Sequence, residues 1–251
     1  MKAIILAAGV GRRLGEGADH PPKSLLAFGG RTLLARHIAI LHHVGIESLV
    51  VATGYKADLV AAELASLGAL ADRGGFATCV LNPDYREGSI VSLWAVRHAL
   101  ACGDEVVLMD ADVLYDHRLM ERLVHSARTD CFLLDRDMEA GDEPVKLCIK
   151  GGRIVDFHKI VRDPFDYCGE SVGFFRFSPA VAARLAAKTE AYVASNRRGE
   201  WYEEAVRDVL LESPPGTFGF EDVTGLPWIE IDFPEDVRRA RDEILPRLTP
   251  P

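Results

Sequence analysis

The chain is poor in residues that would staple it covalently or carry it into a membrane. Its 251 residues include only five cysteines. Cys79, Cys102, Cys131, Cys148 and Cys168 are scattered, and no two are spaced as C-x-x-C. That argues against a disulfide framework or a zinc site and predicts reduced, mostly buried thiols. His42-His43 and the other histidines show no metal spacing with cysteines or carboxylates, and are expected to be surface or packing residues. No apolar run approaches the ~18 residues that span a bilayer. The first residues are strand-like, with no signal-peptide pattern, so a cytoplasmic enzyme is expected. Positive charge is in deficit: 29 Lys and Arg face 38 Asp and Glu, a net −9. This excludes a general nucleic-acid-binding surface, and any phosphate site must be a local basic pocket. Repeats, linkers and low-complexity tracts are also missing.

What is present fits a soluble globular chain with a sizeable core, 48% hydrophobic and 27% charged. Strand-like and helix-like segments alternate through the first half. Strands are expected at Ala3–Ala7, Ser48–Ala52, Ala77–Leu81, Glu105–Met109 and Cys131–Leu134. Helices are expected at Leu33–Val44, Ala57–Leu67, Ser89–Ala101 and His117–Ala127. The pattern implies right-handed crossovers and an α/β fold, a mostly parallel sheet covered on both faces. After about residue 135 the pattern changes. Val145–Ile149, Arg153–His158 and Ser171–Phe177 are strand-like, and Gly151-Gly152 reads as a hairpin turn. Ser178-Pro179 is a helix start, with helices near Ala180–Ala191 and Glu200–Leu211. A strand at Trp228–Ile231 runs into a last helix opened by Pro234, whose first turn is acidic. The stretch from Glu235 to Leu248 is expected to be an amphipathic cap on the sheet. A single domain over residues 1–251 is expected, with a specialised second half from residue 136.

The first strand runs straight into Gly9 and Gly11, followed by Arg12, Arg13 and, a short loop later, Pro22-Lys23-Ser24. Glycines let the backbone approach a ligand and turn its N–H groups toward it. Arg12 or Arg13 and Lys23 add fixed positive charge. Together they make a cradle for a polyphosphate at the carboxyl end of a strand, where open α/β sheets bind ligands. The spacing Gly9, Gly11, Gly15 departs from the dinucleotide fingerprint G-x-G-x-x-G. The pattern G-x-x-x-x-G-K-[ST] is absent. An ordinary glycine loop is the plain alternative, which the arginines and Pro22-Lys23 disfavour.

Asp110-Ala111-Asp112 ends an apolar strand, so the two carboxylates can share a side of the chain. Hard oxygen ligands of this kind suit Mg²⁺; the alternative is a pair of solvated loop aspartates or a helix cap. Trp228-Ile229-Glu230-Ile231-Asp232 alternates in the same way, placing Glu230 and Asp232 on one face. A carboxylate from there converging with Asp112 would complete a metal site.

Taken in order, these segments resemble the nucleotidyltransferases that couple an NTP to a sugar or alcohol phosphate. Leu6-Ala7-Ala8-Gly9-x-Gly11-Arg12 with Pro22-Lys23 matches that family's opening signature. Gly54-Tyr55, Asn82-Pro83-x-Tyr85 with Ser92-Leu93, Asp112, Lys159 and Glu230-Ile231-Asp232 before Pro234-Glu235-Asp236 follow in sequence. Asn82-Pro83, Ser92-Leu93-Trp94 and Leu134-Asp135-Arg136-Asp137 look most like the phosphocholine cytidylyltransferase-like branch. The resemblance implies a Rossmann-like three-layer fold, its mostly parallel mixed sheet flanked by helices. It also implies a Mg²⁺-dependent reaction in which CMP passes from CTP to a small alcohol phosphate or phosphonate. It implies catalytic roles for Lys23 and Arg12, and a nucleotide site of Leu6, Ala8, Gly9, Gly11, Arg12, Gly54, Tyr55, Asn82, Ser89 and Ser92. Asp112 and Asp232 would hold the metal. Asp110, Glu143, Lys159, Glu170, Trp201, Tyr202 and Trp228 are candidates for the acceptor side, where an aromatic wall with a carboxylate would suit a quaternary ammonium. Arg13 is equally well read as a surface residue. Two departures stand out: Ser89 and Val91 lie in a stretch often rich in asparagine, and Phe233 replaces the small hydroxyl residue expected before Pro-Glu-Asp. The competing readings are a sugar-1-phosphate nucleotidyltransferase using UTP, GTP or dTTP, a non-catalytic nucleotide sensor, and an NAD(P)-dependent oxidoreductase. Oligomeric state is not legible, and a homodimer is left open.

Overall fold

The computed structural model describes residues 1–14, 20–71, 74–138, 144–161 and 164–251. In chain order the strands are β1 (Lys2–Ala7), β2 (Ala27–Phe28), β3 (Arg31–Thr32), β4 (Ser48–Thr53), β5 (Ala77–Leu81), β6 (Val106–Asp110), β7 (Val113–Tyr115), β8 (Cys131–Asp135), β9 (Lys146–Lys150), β10 (Arg153–His158), β11 (Tyr167–Phe177), β12 (Gly219–Asp222) and β13 (Trp228–Glu230). The helices are α1 (Leu33–His43), α2 (Ala57–Ser66), α3 (Ser89–Ala95), α4 (Arg97–Leu100), α5 (His117–Val124), α6 (Pro179–Ala194), α7 (Tyr202–Leu211) and α8 (Pro234–Arg239). None is long and apolar enough to cross a membrane.

A nine-stranded sheet organises the chain, in the order β10-β9-β11-β6-β1-β4-β5, with β8 beside β11 and β12 beside β8. The β6-β1-β4-β5 part is parallel. Around β11, pairing with β6, β8 and β9 is antiparallel. Successive residues of β1 serve opposite faces, as extended backbone requires. Ala3, Ile5 and Ala7 enter a core with α1, α2 and α5, whereas Ile4 enters a core with α3, α4, α6 and α7. The chain runs from β1 outward to β4 and β5, then returns across β1 to β6. Right-handed crossovers in opposite directions place their helices on opposite faces, and the reversal opens a crevice beyond the carboxyl ends of β1 and β6.

The expected helix starting at Ser89 is interrupted at Val96, whose φ/ψ of −97°/12° leaves the helical region. The Gly151-Gly152 turn has positive φ at both residues, 55° and 72°, as a two-residue hairpin of this type demands. Ser178 caps α6 by accepting from the Val181 N–H at 3.3 Å, with Pro179 first in the helix. The short strands β2, β3, β7 and β12 were not foreseen. The segment after Asp232 differs from expectation: α8 ends at Arg239 and continues as tighter and wider turns to Arg247. It covers a separate small core of Phe28, Leu33, Leu114, Ile229 and Ile231 rather than the main sheet. The five cysteines are free, but only Cys131 and Cys148 are buried and Cys102 is exposed.

Candidate active site

The crevice is a cavity of about 620 Å³, within the range of small-molecule sites. It is lined by Leu6 at the end of β1, by Ala8, Gly9, Gly11 and Arg12 from the loop that follows, and by Lys23 and Ser24. Gly11 has φ +69°, and a Cβ there would stand 3.1 Å from Lys23 Cγ. Glycine therefore lets this loop close against the lysine. Gly54 and Tyr55 brace the loop from behind. The Tyr55 N–H donates to the Ala8 carbonyl at 3.0 Å, and a Cβ on Gly54 would meet Ala8 O at 2.8 Å and Tyr85 Cβ at 2.4 Å.

Lys23 is the electrostatic centre. Its Nζ donates to Asp112 Oδ2 at 2.7 Å and to Asp232 Oδ1 at 2.6 Å. Asp112 follows β6, and Asp232 follows β13. Loss of water alone would lower the lysine's pKa, but the charges and hydrogen bonds of Asp112 and Asp232 outweigh it and raise it above the ordinary value. The ammonium stays charged. Glu230 completes a cluster with Asp112 and Asp232, the three ligand oxygens lying within 4.8 Å of one another. Glu230 opens onto the cleft, yet the cleft walls withdraw it from bulk water. That desolvation, followed by the charges of Asp112 and Asp232, pushes its carboxyl well above the usual range. Arg13 approaches Asp232 Oδ2 at 3.4 Å. Asp232 is further fixed through Asp236, whose Oδ2 accepts from the Asp232 N–H at 3.0 Å and the Phe233 N–H at 2.7 Å. Asp236 thus does the capping that Phe233 cannot. Beneath Asp112, buried His37 donates from Nε2 to the Ala111 carbonyl at 3.1 Å.

The other wall comes from the second half of the chain. Trp201, Tyr202 and Glu203 line it at the start of α7, opposite Asp110. The Tyr202 hydroxyl donates to Asp110 Oδ2 at 2.7 Å. Burial first, then the charges of Asp112, Glu203 and Glu230, raise the Asp110 carboxyl well above its ordinary value. Burial is also the main cause that pushes Glu203 up to about 7. Glu203 Oε2 is buried without a hydrogen-bond partner among the described residues. The segment Tyr85–Gly88 closes the rim, held by Arg198, which bonds Glu87 at 2.6 Å and Asp84 at 2.8 Å.

Of the expected nucleotide residues, Leu6, Ala8, Gly9, Gly11, Arg12, Ser89 and Ser92 line the cavity, whereas Gly54, Tyr55 and Asn82 stand behind it. Asn82 is buried and donates to Ser92 Oγ at 3.1 Å; Ser89 Oγ accepts from the Tyr202 N–H at 2.9 Å. On the expected acceptor side, Asp110, Trp201 and Tyr202 line the cavity. Lys159 lies outside the lining, its Nζ 4.5 Å from the centre of the Trp201 ring. Two candidates are placed elsewhere. Glu170 sits within β11, in register with Asp135 and Lys146. Trp228 turns its Nε1 to Asp135 Oδ2 at 2.6 Å and packs against the core. Glu143 and Gly15 fall outside the described residues. Glu203 was missed, because an acid in a helix's first turn reads simply as a complement to the helix dipole. Glu230 was seen to share a face with Asp232 but was not counted with the metal ligands.

A family model described as MobA-like NTP transferase domain matches residues 3–154. The chain is 30% identical over 246 residues to the bifunctional IPC transferase and DIPP synthase of Rubrobacter xylanophilus, covering 97% of this chain and 52% of that protein. The chain thus spans about half the length of that relative. It is 26% identical over 256 residues to the choline-phosphate cytidylyltransferase of Streptococcus pneumoniae, covering 98% of each. Among solved structures, the inositol-1-phosphate CTP transferase from T. maritima superposes with a TM-score of 0.75 at 22% identity, over 98% of this chain and 95% of that one.

Proposed function

This chain belongs to the MobA-like NTP transferase domain family, and from that premise we propose that it transfers CMP from CTP to a small alcohol phosphate or phosphonate, releasing pyrophosphate. The observation that carries the proposal is the meeting of two charge patterns in one cleft. The Gly9–Arg12 loop offers amides and a guanidinium, and Lys23 stands among Asp112, Glu230 and Asp232. The named activities of the relatives supply the choice of CTP and of a phosphorylated alcohol.

The reaction is an in-line displacement at the α-phosphorus. An acceptor phosphate oxygen forms the new P–O bond, and the bond from the α-phosphorus to the bridging oxygen breaks, its electron pair leaving with pyrophosphate. The nucleophile is already an anion, so no general base is needed. Catalysis then rests on positioning and on charge neutralisation. In this reading the Gly9 and Gly11 amides with Arg12 hold the leaving phosphates, and Lys23 faces the α-phosphate. Asp112, Glu230 and Asp232 are hard oxygen donors set closely enough to share one small cation, a set that fits Mg²⁺. When bound there, Mg²⁺ would offset the negative charge that builds on the phosphate oxygens. Asp110 stays behind, hydrogen-bonded to Tyr202, and shapes the acceptor wall with Trp201 and Glu203.

The test is pyrophosphate release with Mg²⁺, crossing CTP, UTP, GTP, ATP and dTTP against choline phosphate, ethanolamine phosphate, aminoethylphosphonate, inositol phosphate and hexose 1-phosphates. Release with CTP and one alcohol phosphate or phosphonate is the expected result and names the acceptor. Release only with another nucleotide and a hexose 1-phosphate overturns the choice of substrates. No release from a folded chain that binds nucleotide favours a sensor.

A further inference from the structure

On the surface away from the cleft, two histidines and a glutamate from different helices converge. His43 is the last residue of α1, and His117 and Glu121 stand one turn apart on α5. Glu121 Oε1 lies 2.9 Å from His43 Nε2 and 3.7 Å from His117 Nε2, and the three ligand atoms all lie within 4.8 Å of one another. We propose that His43, His117 and Glu121 form a second metal site, for a zinc-class divalent transition metal, clipping the end of α1 to α5.

The separations suit such an ion. Metal–ligand bonds of about 2.0–2.2 Å in a tetrahedron put neighbouring ligand atoms roughly 3.3–3.5 Å apart, and the two observed distances bracket that value. The imidazole rings meet edge to face, 5.5 Å apart at 85°, and each has its Nε2 as the atom nearest Glu121 Oε1. The orientation of His117 is the stronger argument. Its Nδ1 lies 3.3 Å from the Thr249 carbonyl oxygen. A carbonyl only accepts, so Nδ1 carries the proton, and in the neutral ring the Nε2 lone pair faces the Glu121 carboxylate. A lone pair opposite an anion is repulsive, and a cation between them converts the repulsion into two bonds. A carbonyl on the far nitrogen is the usual outer support of a metal-binding histidine. Here that support is itself anchored: Asp116 Oδ2 accepts from both the N–H and the hydroxyl of Thr249 at 2.8 Å. A protonated His117, with Asp116 Oδ1 3.6 Å from its Nδ1 and Glu121 Oε1 3.7 Å from its Nε2, would keep the same aim as an ion pair, and Zn²⁺ titration separates the two. Two imidazoles also select borderline-soft metals over Mg²⁺, which separates this site from the all-carboxylate cleft.

The four-residue spacing of His117 and Glu121 is visible in the sequence, whereas the expectation was that the histidines show no metal spacing with cysteines or carboxylates. The arrival of His43 depends on the packing of α1 beside α5.

Zn²⁺ titration by calorimetry, on full-length protein stripped of metal and held in millimolar Mg²⁺, tests the proposal. Co²⁺ absorption serves as the spectroscopic probe. The expected result is one equivalent of Zn²⁺ bound, with visible Co²⁺ bands. Affinity should fall at least tenfold in His43→Gln, His117→Gln and Glu121→Gln, and persist in Asp112→Asn. The Zn²⁺-induced rise in Tm should vanish in the same three variants, which reports on the site even if a variant is less stable. Absence of saturable binding overturns the proposal. So does binding that the histidine variants leave intact and Asp112→Asn removes.

Discussion

Lys23 and Glu203 show how single groups in the cleft are set by their surroundings. Lys23 is mostly buried and answers two carboxylates at once. Replacing it with methionine leaves Asp112, Glu230 and Asp232 crowded together, with Arg13 approaching only Asp232. Lys23→Met is expected to cost about 1–3 kcal/mol in urea unfolding without divalent cations, and to lower kcat by roughly 10²–10³-fold. A kcat near that of the parent removes Lys23 from the reaction. Glu203 supplies the pH dependence. Its pKa is raised from 4.5 to about 7 in the folded chain, so between those values the folded state holds a proton that the unfolded state releases. Its contribution to stability is full below the unfolded pKa and is lost as pH rises through the folded one. Glu203→Gln mimics the protonated form. The variant should match the parent near pH 4 and exceed it by up to about 3 kcal/mol at pH 8. Parallel urea curves at the two pH values would read this, and a constant difference would show that Glu203 does not titrate in this range.

At the scale of elements, β11 explains how a buried carboxyl is accommodated. Its pairing with β8 shifts register between Ser171 and Phe175, and Gly173 within that irregularity has φ +78°. A Cβ on Gly173 would stand 2.4 Å from Asp110 Oδ2, so the bulge makes room for the carboxyl that Tyr202 holds. Gly173→Ala should therefore cost about 2–4 kcal/mol, left-handed strain of ~1–2 kcal/mol plus displacement of Asp110 from Tyr202. Gly151→Ala is the control, since Gly151 also has positive φ but open space around it, and it should show the strain alone. Equal losses from the two in urea unfolding would reject the collision. This bulge also marks what the sequence could show. The edges of β5 were legible because a largely apolar run lies between Gly74-Gly75 and Asn82-Pro83, and the start of β10 because the Gly151-Gly152 turn precedes it. That Gly9, Gly11, Arg12 and Lys23 share one cavity wall region was legible because they are close in the chain. β2, β3 and β7 are too short for a period-two pattern, and β12, Gly-Phe-Glu-Asp, carries little apolar signal. Trp228 looked like an acceptor wall because its bond to Asp135 spans 93 positions, and Glu203 reaches the cleft only through the placement of α7.

Across the whole molecule, three cores divide the work. Two lie on either side of the main sheet. The third is small, yet its members border most of the charged cluster. Leu26 follows the Lys23 turn, Leu114 lies in β7 just beyond Asp112, and Ile229 and Ile231 flank Glu230. Val237, Ile244, Leu245 and Leu248, from the segment after Asp232, close this core. Stability and alignment of the site should therefore separate between cores. Leu185 is 1% exposed in the core under α6, so Leu185→Ala should cost about 2–5 kcal/mol while leaving kcat within about twofold well below the Tm. Leu245 is only partly buried, and Leu245→Ala should cost about 1–2 kcal/mol, less than full burial of a leucine contributes. Yet it loosens the layer on which Lys23, Asp112 and Glu230 are mounted, and misplacing reacting groups by a fraction of an ångström is expensive in rate. The smaller loss of stability should thus accompany the larger loss of kcat, several-fold or more, measured by pyrophosphate release at one temperature below both unfolding transitions. If kcat instead tracks stability across the two variants, the third core is packing like the others, and the alignment of the cluster rests on its own hydrogen bonds.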